Sequence, residues 1–242
     1  MIITSLENNK IKDLVKLQNK KYRDITNTYL VETYHLVEEA YKAGLVKEIF
    51  LLEGEDVSFD VPITYVSTEV MKRITTTDTF TNIVALCEKN NSNEIIGNKI
   101  LLLDNIQDPG NLGTIIRSSV AFNVDTIILS PNTVDLYNSK VLRSSQGMFC
   151  HINIITMDLV EAINTIKSRN ITVYGTNVND GVDVRSISDT SSYALVMGNE
   201  GNGVSLDIQN MCDKNLYIKM SNNTESLNVG VACSILLYEL ER

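Results

Sequence analysis

Short, continuously apolar runs alternate with apolar positions at helical spacing along most of this chain. In the first third, Ile11, Leu14, Val15 and Leu17 recur at helical intervals and predict a helix over 8–22. Residues 29–32 predict a strand. Residues 35–43 predict a helix stopped by Gly44, where a left-handed residue is wanted. Strand-like runs follow at 46–52, 63–66 and 83–87 and complete a small α/β unit. Residues 89–98, KNNSNEIIGN, are polar and rich in Asn, and form the best linker in the chain. Beyond it, strands are predicted at 100–103, 126–129, 152–155, 171–174, 194–197 and 216–218. Helices are predicted near 112–122, 139–148, 158–169, 207–212 and 226–241. These strands are apolar throughout rather than alternating, as expected when both faces are covered. The fold class is therefore α/β, with a parallel sheet in the second part. Two domains are expected, over 1–90 and 98–242.

Composition narrows the function classes. No apolar run approaches the roughly 18 residues that a membrane-spanning helix needs. The first residues lack the basic head and apolar core of a signal peptide, so the chain is read as cytoplasmic, with no membrane partner. Cys87, Cys150, Cys212 and Cys233 form no C-x-x-C pair, and neither His35 nor His151 stands at metal-ligand spacing. Reduced thiols and no metal site are expected. The net charge of −9 argues against nucleic acid as an average, but its distribution does not. Residues 10–23 carry Lys10, Lys12, Lys16, Lys20, Lys21 and Arg23 against one acid, Asp13. Lys16, Lys20, Lys21 and Arg23 are the candidate RNA contacts; a solvated helix face is the alternative.

Three polar clusters stand at the carboxyl ends of predicted strands, where open α/β sheets bind ligands. The first is 104–113, DNIQDPGNLG, with Asn111 as a candidate helix cap and Arg117 further along an otherwise apolar helix. Such an arginine reaches either an anion or solvent. The second, 196–204, is VMGNEGNGV. Its G-x-x-G-x-G order is not that of dinucleotide binders, and no phosphate-loop lysine follows; it suits a ligand loop or a tight turn. The third is 218–229, IKMSNNTESLNV, where Ser226 reads as a cap and Asn228 falls in the first helical turn.

Order and spacing carry more than any one cluster. DPGNLGTIIRSSVAF, LVMGNEGNGVS and SLNVGVA, in that order, resemble the three motifs of the SpoU/TrmH family of RNA ribose 2′-O-methyltransferases, within the SPOUT superfamily. VLRSSQG at 141–147 is also similar to the family. SLENNKIKDLVKLQNKKYRD with YLVET resembles, more loosely, the small substrate-binding domain that many members carry. The resemblance implies a deep trefoil knot in the C-terminal domain, a bent S-adenosylmethionine in the knotted loops, and a homodimer whose sites draw on both chains. It implies catalytic roles for Arg117, positioned by Asn111, for Glu200, positioning Arg117 or the ribose, and for Ser226 and Asn228, shaping the pocket. It implies cofactor contacts at Gly198, Ile218 and Leu227, flanked by Val196 and Met220. Arginine is too basic to accept a proton readily, but it can orient a 2′-hydroxyl and stabilise oxyanion charge.

The pattern departs from the family at Lys219 and Asn222, where Pro and Gly are usual, and at Asn123, where Gly is common. Asn tolerates positive φ, so these turns can survive. The two-domain layout favours ribosomal RNA as substrate, with a tRNA 2′-O-methyltransferase as the alternative. A non-catalytic RNA-binding protein that keeps the fold is the rival class. Lys219 and Asn222 favour it; retention of Asn111, Arg117, Glu200, Ser226 and Asn228 opposes it. The glycine order opposes a nicotinamide-dependent oxidoreductase.

Overall fold

The computed structural model describes residues 2–90, 92–178, 181–221 and 223–241. They form two compact units, one of residues 1–90 and 135–150, the other of 91–134 and 151–242. The segment 135–150, placed with the second domain by the sequence pattern, is therefore part of the first unit.

The first unit opens with β1 (Ile2–Ile3), α1 (Asn9–Lys16) and α2 (Lys20–Thr26). The single helix expected over 8–22 is broken at Leu17-Gln18-Asn19, because Asn19 accepts a hydrogen bond from the Lys21 amide and starts a new helix. β2 (Thr28–Glu32), α3 (Tyr34–Lys42), β3 (Val46–Leu52), β4 (Ile63–Val66), α4 (Thr68–Ile74) and β5 (Ile83–Glu88) follow. The sheet order is β1-β4-β3-β5-β2, with β5 antiparallel to both its neighbours. Ile11 and Leu14 of α1 and Val70, Met71 and Ile74 of α4 pack with Phe50, Val66 and Val84 of the sheet.

Gly44 is left-handed after α3, as its position predicts (φ 72°). Thr33, between β2 and α3, has φ 78° without the excuse of being glycine. A β-branched residue there is strained. Thr33→Gly should therefore raise stability by about 1 kcal/mol. The check is a higher urea midpoint at unchanged m; an equal or lower midpoint refutes the strain.

The second unit begins with β6 (Lys99–Leu103), α5 (Pro109–Ala121) and β7 (Thr126–Leu129). α6 (Ser139–Ser144) and a short 3-10 turn (Met148–Cys150) belong to the first unit. β8 (Asn153–Thr156), α7 (Leu159–Ser168), β9 (Val173–Thr176), β10 (Val182–Asp183), β11 (Tyr193–Met197), α8 (Leu206–Gln209), β12 (Lys214–Tyr217) and α9 (Val229–Leu240) complete it. The sheet order is β10-β12-β9-β11-β6-β7-β8, and every pairing is parallel. Ile100, Leu102 and Ile128 pack with Leu159, Ile163 and Ile166 of α7. Leu101, Leu103 and Ile127, on the opposite face, are equally buried. Two-sided burial is why these strands read as unbroken apolar runs.

Among the described residues, no helix is long and apolar enough to cross a membrane. Cys87 and Cys233 are buried, Cys150 and Cys212 half-buried, and all four are free. Burial pushes the Cys150 thiol up to about 12 and Cys212 to about 11, so neither is primed as a nucleophile.

Candidate active site

β6 and β11 are neighbours in the middle of the parallel sheet, with Leu103 opposite Met197. From β6 the chain winds towards β7 and β8, whereas β9 and β12 lie beyond β11. The loops after β6 and β11 thus meet at the switch point of the sheet, where parallel strands leave a crevice.

The loop after β11 is a tight hairpin. Asn199 and Gly203 exchange backbone hydrogen bonds, each 2.9 Å. The Asn199 carboxamide oxygen accepts from the Gly201 and Asn202 amides, and its nitrogen donates to the Asn105 carbonyl. One residue thus folds its own loop and ties it to the loop after β6. Gly203 supplies the positive φ of 70° that the turn needs.

That hairpin carries Glu200 to the start of α5. Its carboxylate accepts from the Gln107 amide (3.1 Å), the Asp108 amide (3.0 Å) and the Asn111 side-chain nitrogen (2.9 Å). The Asn111 oxygen in turn accepts from the Asn228 side-chain nitrogen at 2.9 Å. The Asn228 oxygen accepts from the Gly230 and Val231 amides and caps α9. One relay, Glu200–Asn111–Asn228, therefore joins all three loops. Burial would raise the Glu200 carboxyl, but the donors from Asn111, Asp108 and Gln107 outweigh it and hold the group below its ordinary value.

Both proposed caps shift by a few residues. Asp108, not Asn111, caps α5, with its carboxylate accepting from the Asn111 amide and Pro109 as the first helical residue. Asn228, not Ser226, caps α9. Asn123 is left-handed (φ 53°) after α5, so Asn does replace glycine there. Asn222 lies outside the described residues.

α5 and α9 pack side by side and run in the same direction. Asn111 meets Asn228, Thr114 approaches Gly230, the Ser118 and Ser234 hydroxyls are 2.6 Å apart, and the Phe122 and Tyr238 rings meet edge to face at 5.8 Å. Arg117 stands on the exposed side of α5. Among the described residues it has no hydrogen-bond or ion-pair partner; neither Asn111 nor Glu200 engages it, both being held in the relay.

Beside the relay opens a cavity of about 640 Å³. Gly198, Ile218, Met220 and Leu227 line it, as do Glu200, Ser226 and Asn228. Val196 does not: it is fully buried within β11, where its carbonyl accepts from the Thr176 hydroxyl. Thr176, Asn177 and Gln209 also line the cavity and were not singled out from the sequence, although Thr176-Asn177 is a polar pair at a strand end like the other three clusters. The size suits a nucleoside cofactor, and apolar walls from Ile218, Leu227 and Leu236 beside a glycine hairpin suit an adenosine.

In the first unit, Lys16 pairs with Asp13 and Lys20 with Asp24, both on exposed surface, and Lys21 is exposed. Arg23, unlike these three lysines, is buried. Its side chain is 7% exposed, with one guanidinium nitrogen on the Leu17 carbonyl freed by the helix break and the other on Asp135 at 2.5 Å. It is not a surface contact, because the broken helix end must be satisfied locally.

Fold and site together define an α/β domain with a nucleoside-sized cavity at its switch point and, nearly two helix turns beyond Asn111, an arginine without a partner among the described residues. Residues 98–238 match the SpoU rRNA Methylase family and residues 8–85 the MRM3-like substrate binding domain. The chain belongs to the SpoU rRNA methylase family. It is 40% identical, over 98% of both chains, to the 23S rRNA (guanosine(2553)-2′-O)-methyltransferase RlmP of Bacillus subtilis. Similar solved structures include a TrmH-family RNA methyltransferase from Porphyromonas gingivalis (28% identity, 98% of each chain, TM-score 0.88). Another is the AdoMet-bound rRNA methyltransferase from Sinorhizobium meliloti (29% identity, 99% of this chain and 97% of that one, TM-score 0.86).

Proposed function

We propose that this protein methylates a ribose 2′-hydroxyl in ribosomal RNA, using S-adenosylmethionine, and that its target lies in 23S rRNA. The observation that carries the reading is the Glu200–Asn111–Asn228 relay beside the 640 Å³ cavity, in a chain so similar to RlmP over its full length. The cofactor supplies a methyl group made electrophilic by its sulfonium. Gly198, Ile218, Met220 and Leu227 would hold it. Glu200 fixes the loop after β6 against α5, and Asn228 fixes α9. Arg117, with its guanidinium uncommitted, orients the 2′-hydroxyl and a neighbouring phosphate and stabilises charge developing on the oxygen.

The trefoil knot and the homodimer implied by the family belong to this reading. Val231 (46% exposed) and Tyr238 (63% exposed) leave an apolar strip on α9 next to Arg117's helix, the kind of surface a second copy covers. A dimer would bring further groups to Arg117.

RNA capture is assigned to Lys16, Lys20 and Lys21, on α1 and α2. Changing all three to Ala should weaken RNA binding and lower the log–log salt slope by roughly one unit per lost phosphate contact. Binding of S-adenosylhomocysteine, followed by the thermal shift it produces, should not change. An unchanged salt slope would make these lysines a solvated face and move the capture surface elsewhere. The function itself is tested by methylation of unmodified 23S rRNA transcript; absence of 2′-O-methyl product with cofactor bound would leave the non-catalytic RNA-binding alternative.

A further inference from the structure

Asp104 follows β6 directly, in the first polar cluster of the sequence, and has no role in the steps above. Its contacts reach the hairpin that carries Gly198 and Glu200. Residues 197–204 all line the cofactor-sized cavity. At the entry of the hairpin, the Asn199 side-chain nitrogen donates to the Asn105 carbonyl at 2.8 Å. Its middle is held by Glu200 on the Gln107 and Asp108 amides. At its exit, the Ser205 amide donates to Asp104 Oδ2 at 2.8 Å. The Asn105 side-chain nitrogen donates to Asp104 Oδ1, also at 2.8 Å, and so links exit to entry.

Asp104 is 3% exposed, and among the described residues no cation pairs with it. Burying a carboxylate without a counter-ion is costly. Its two partners explain why a carboxylate is nevertheless needed. Each oxygen faces an N–H donor, and only a group that accepts on both sides satisfies both. An asparagine would turn its own donor towards one of them. Asn105 presents its side chain from a fixed base. Its φ is left-handed at 58°, its amide donates to the Ser130 hydroxyl at 2.9 Å, and its carbonyl is taken by Asn199.

We infer that Asp104 is a positioning residue for methyl transfer: through Ser205 and Asn105 it holds the hairpin in the position that binds cofactor, without itself lining the cavity. The inference rests on the cofactor reading above and adds the group that keeps this cavity wall in place. A hairpin released at its exit spends part of its time away from the binding position. Apparent affinity then falls with the fraction in position, whereas cofactor, once bound, selects the competent form. The signature is a raised cofactor Kd with a nearly unchanged rate at saturation, a split that simple loss of stability does not give.

The experiment uses the full-length protein with Asp104→Asn, with Asn105→Asp, and with both together. Calorimetric titration with S-adenosylhomocysteine gives affinity, the urea midpoint of the ligand-free protein gives stability, and single-turnover methylation of 23S rRNA transcript at saturating S-adenosylmethionine gives rate. Asp104→Asn sets donor against donor, and Asn105→Asp sets carboxylate against carboxylate. Each should weaken affinity roughly ten- to a hundredfold. The saturated rate should stay within about threefold of wild type. In the double variant the hydrogen bond between the two positions runs the other way, and Ser205 keeps an acceptor. Asp tolerates positive φ at position 105 as Asn does. Affinity should therefore return to within about threefold of wild type.

Folded single variants that bind S-adenosylhomocysteine as tightly as wild type overturn the proposal, whatever their urea midpoints. A double variant no tighter than either single one overturns it as well, as does a saturated rate that falls as far as the affinity. Should Asp104→Asn not fold, Asn105→Asp, at a half-buried position, carries the same test. A wild type that binds no S-adenosylhomocysteine would sink the cofactor reading, and this inference with it.

Discussion

Arg117→Ala should bind S-adenosylmethionine and RNA near normally and yet transfer methyl on the order of a hundred to a thousand times more slowly. A ribose hydroxyl is too weak an acid to react unaided, so a cation must stabilise charge as it develops on the oxygen. Neither His35 nor His151 lines the cofactor-sized cavity. Arg117 is carried on a helix whose neighbours Ile115 and Ile116 are fully buried, which fixes its backbone while its own side chain stays exposed. That helix is capped by Asp108, tied to Glu200 through Asn111 and tied to α9 through Ser118, so the guanidinium projects from a rigid base. Arg117→Lys should fail similarly, since one ammonium cannot reproduce the planar fork. The measurement is single-turnover methylation at saturating cofactor. An Arg117→Ala rate within about threefold of wild type would move the role elsewhere, with Glu200 the next candidate.

The second large effect is expected at Gly198, and even alanine should produce it. A Cβ there would sit 2.0 Å from the Gly203 carbonyl carbon and 2.0 Å from the Val204 nitrogen. Both are backbone atoms, so no side chain can move aside. The hairpin over 199–203 must lift off the end of β11, loosening the Asn199 bond to Asn105 and the clamp of Glu200 on the Gln107 and Asp108 amides. The obstruction is therefore the protein's own loop rather than a bound ligand. Overpacking of this kind typically costs about 1–3 kcal/mol, so cofactor affinity should fall by roughly ten- to a hundredfold. Gly201→Ala is the internal control. Its nearest atom would be the Asn199 oxygen at 3.6 Å, an ordinary contact, and affinity should stay near wild type. Isothermal titration with S-adenosylhomocysteine reads both. Equal affinities for the two variants would show that the hairpin adapts freely.

Much of this architecture is legible in the chain itself. The strands of the second unit read directly, because two-sided burial leaves a run of apolar residues wherever a parallel strand passes. The three polar clusters are visible because a strand must end before a loop can bind anything. Asn123 and Gly44 are readable as left-handed stops, since few residues tolerate that conformation. What a local pattern cannot contain is the choice of partner. Glu200 and Asn111 are 89 residues apart, and Asn111 and Asn228 117 apart, yet they share one relay. That relay takes Asn111 away from the cap of α5, leaving the task to Asp108, and away from Arg117. Arg23 looks like the last member of a basic stripe. Only the break at Leu17-Gln18-Asn19, with a freed carbonyl to satisfy and Asp135 brought in from 112 residues away, draws it inside. The same holds for 135–150, whose helical pattern does not reveal which core will bury it. Periodicity records how much of each residue is buried, whereas the identity of the burying neighbour is settled by packing and hydrogen-bond satisfaction across the whole fold.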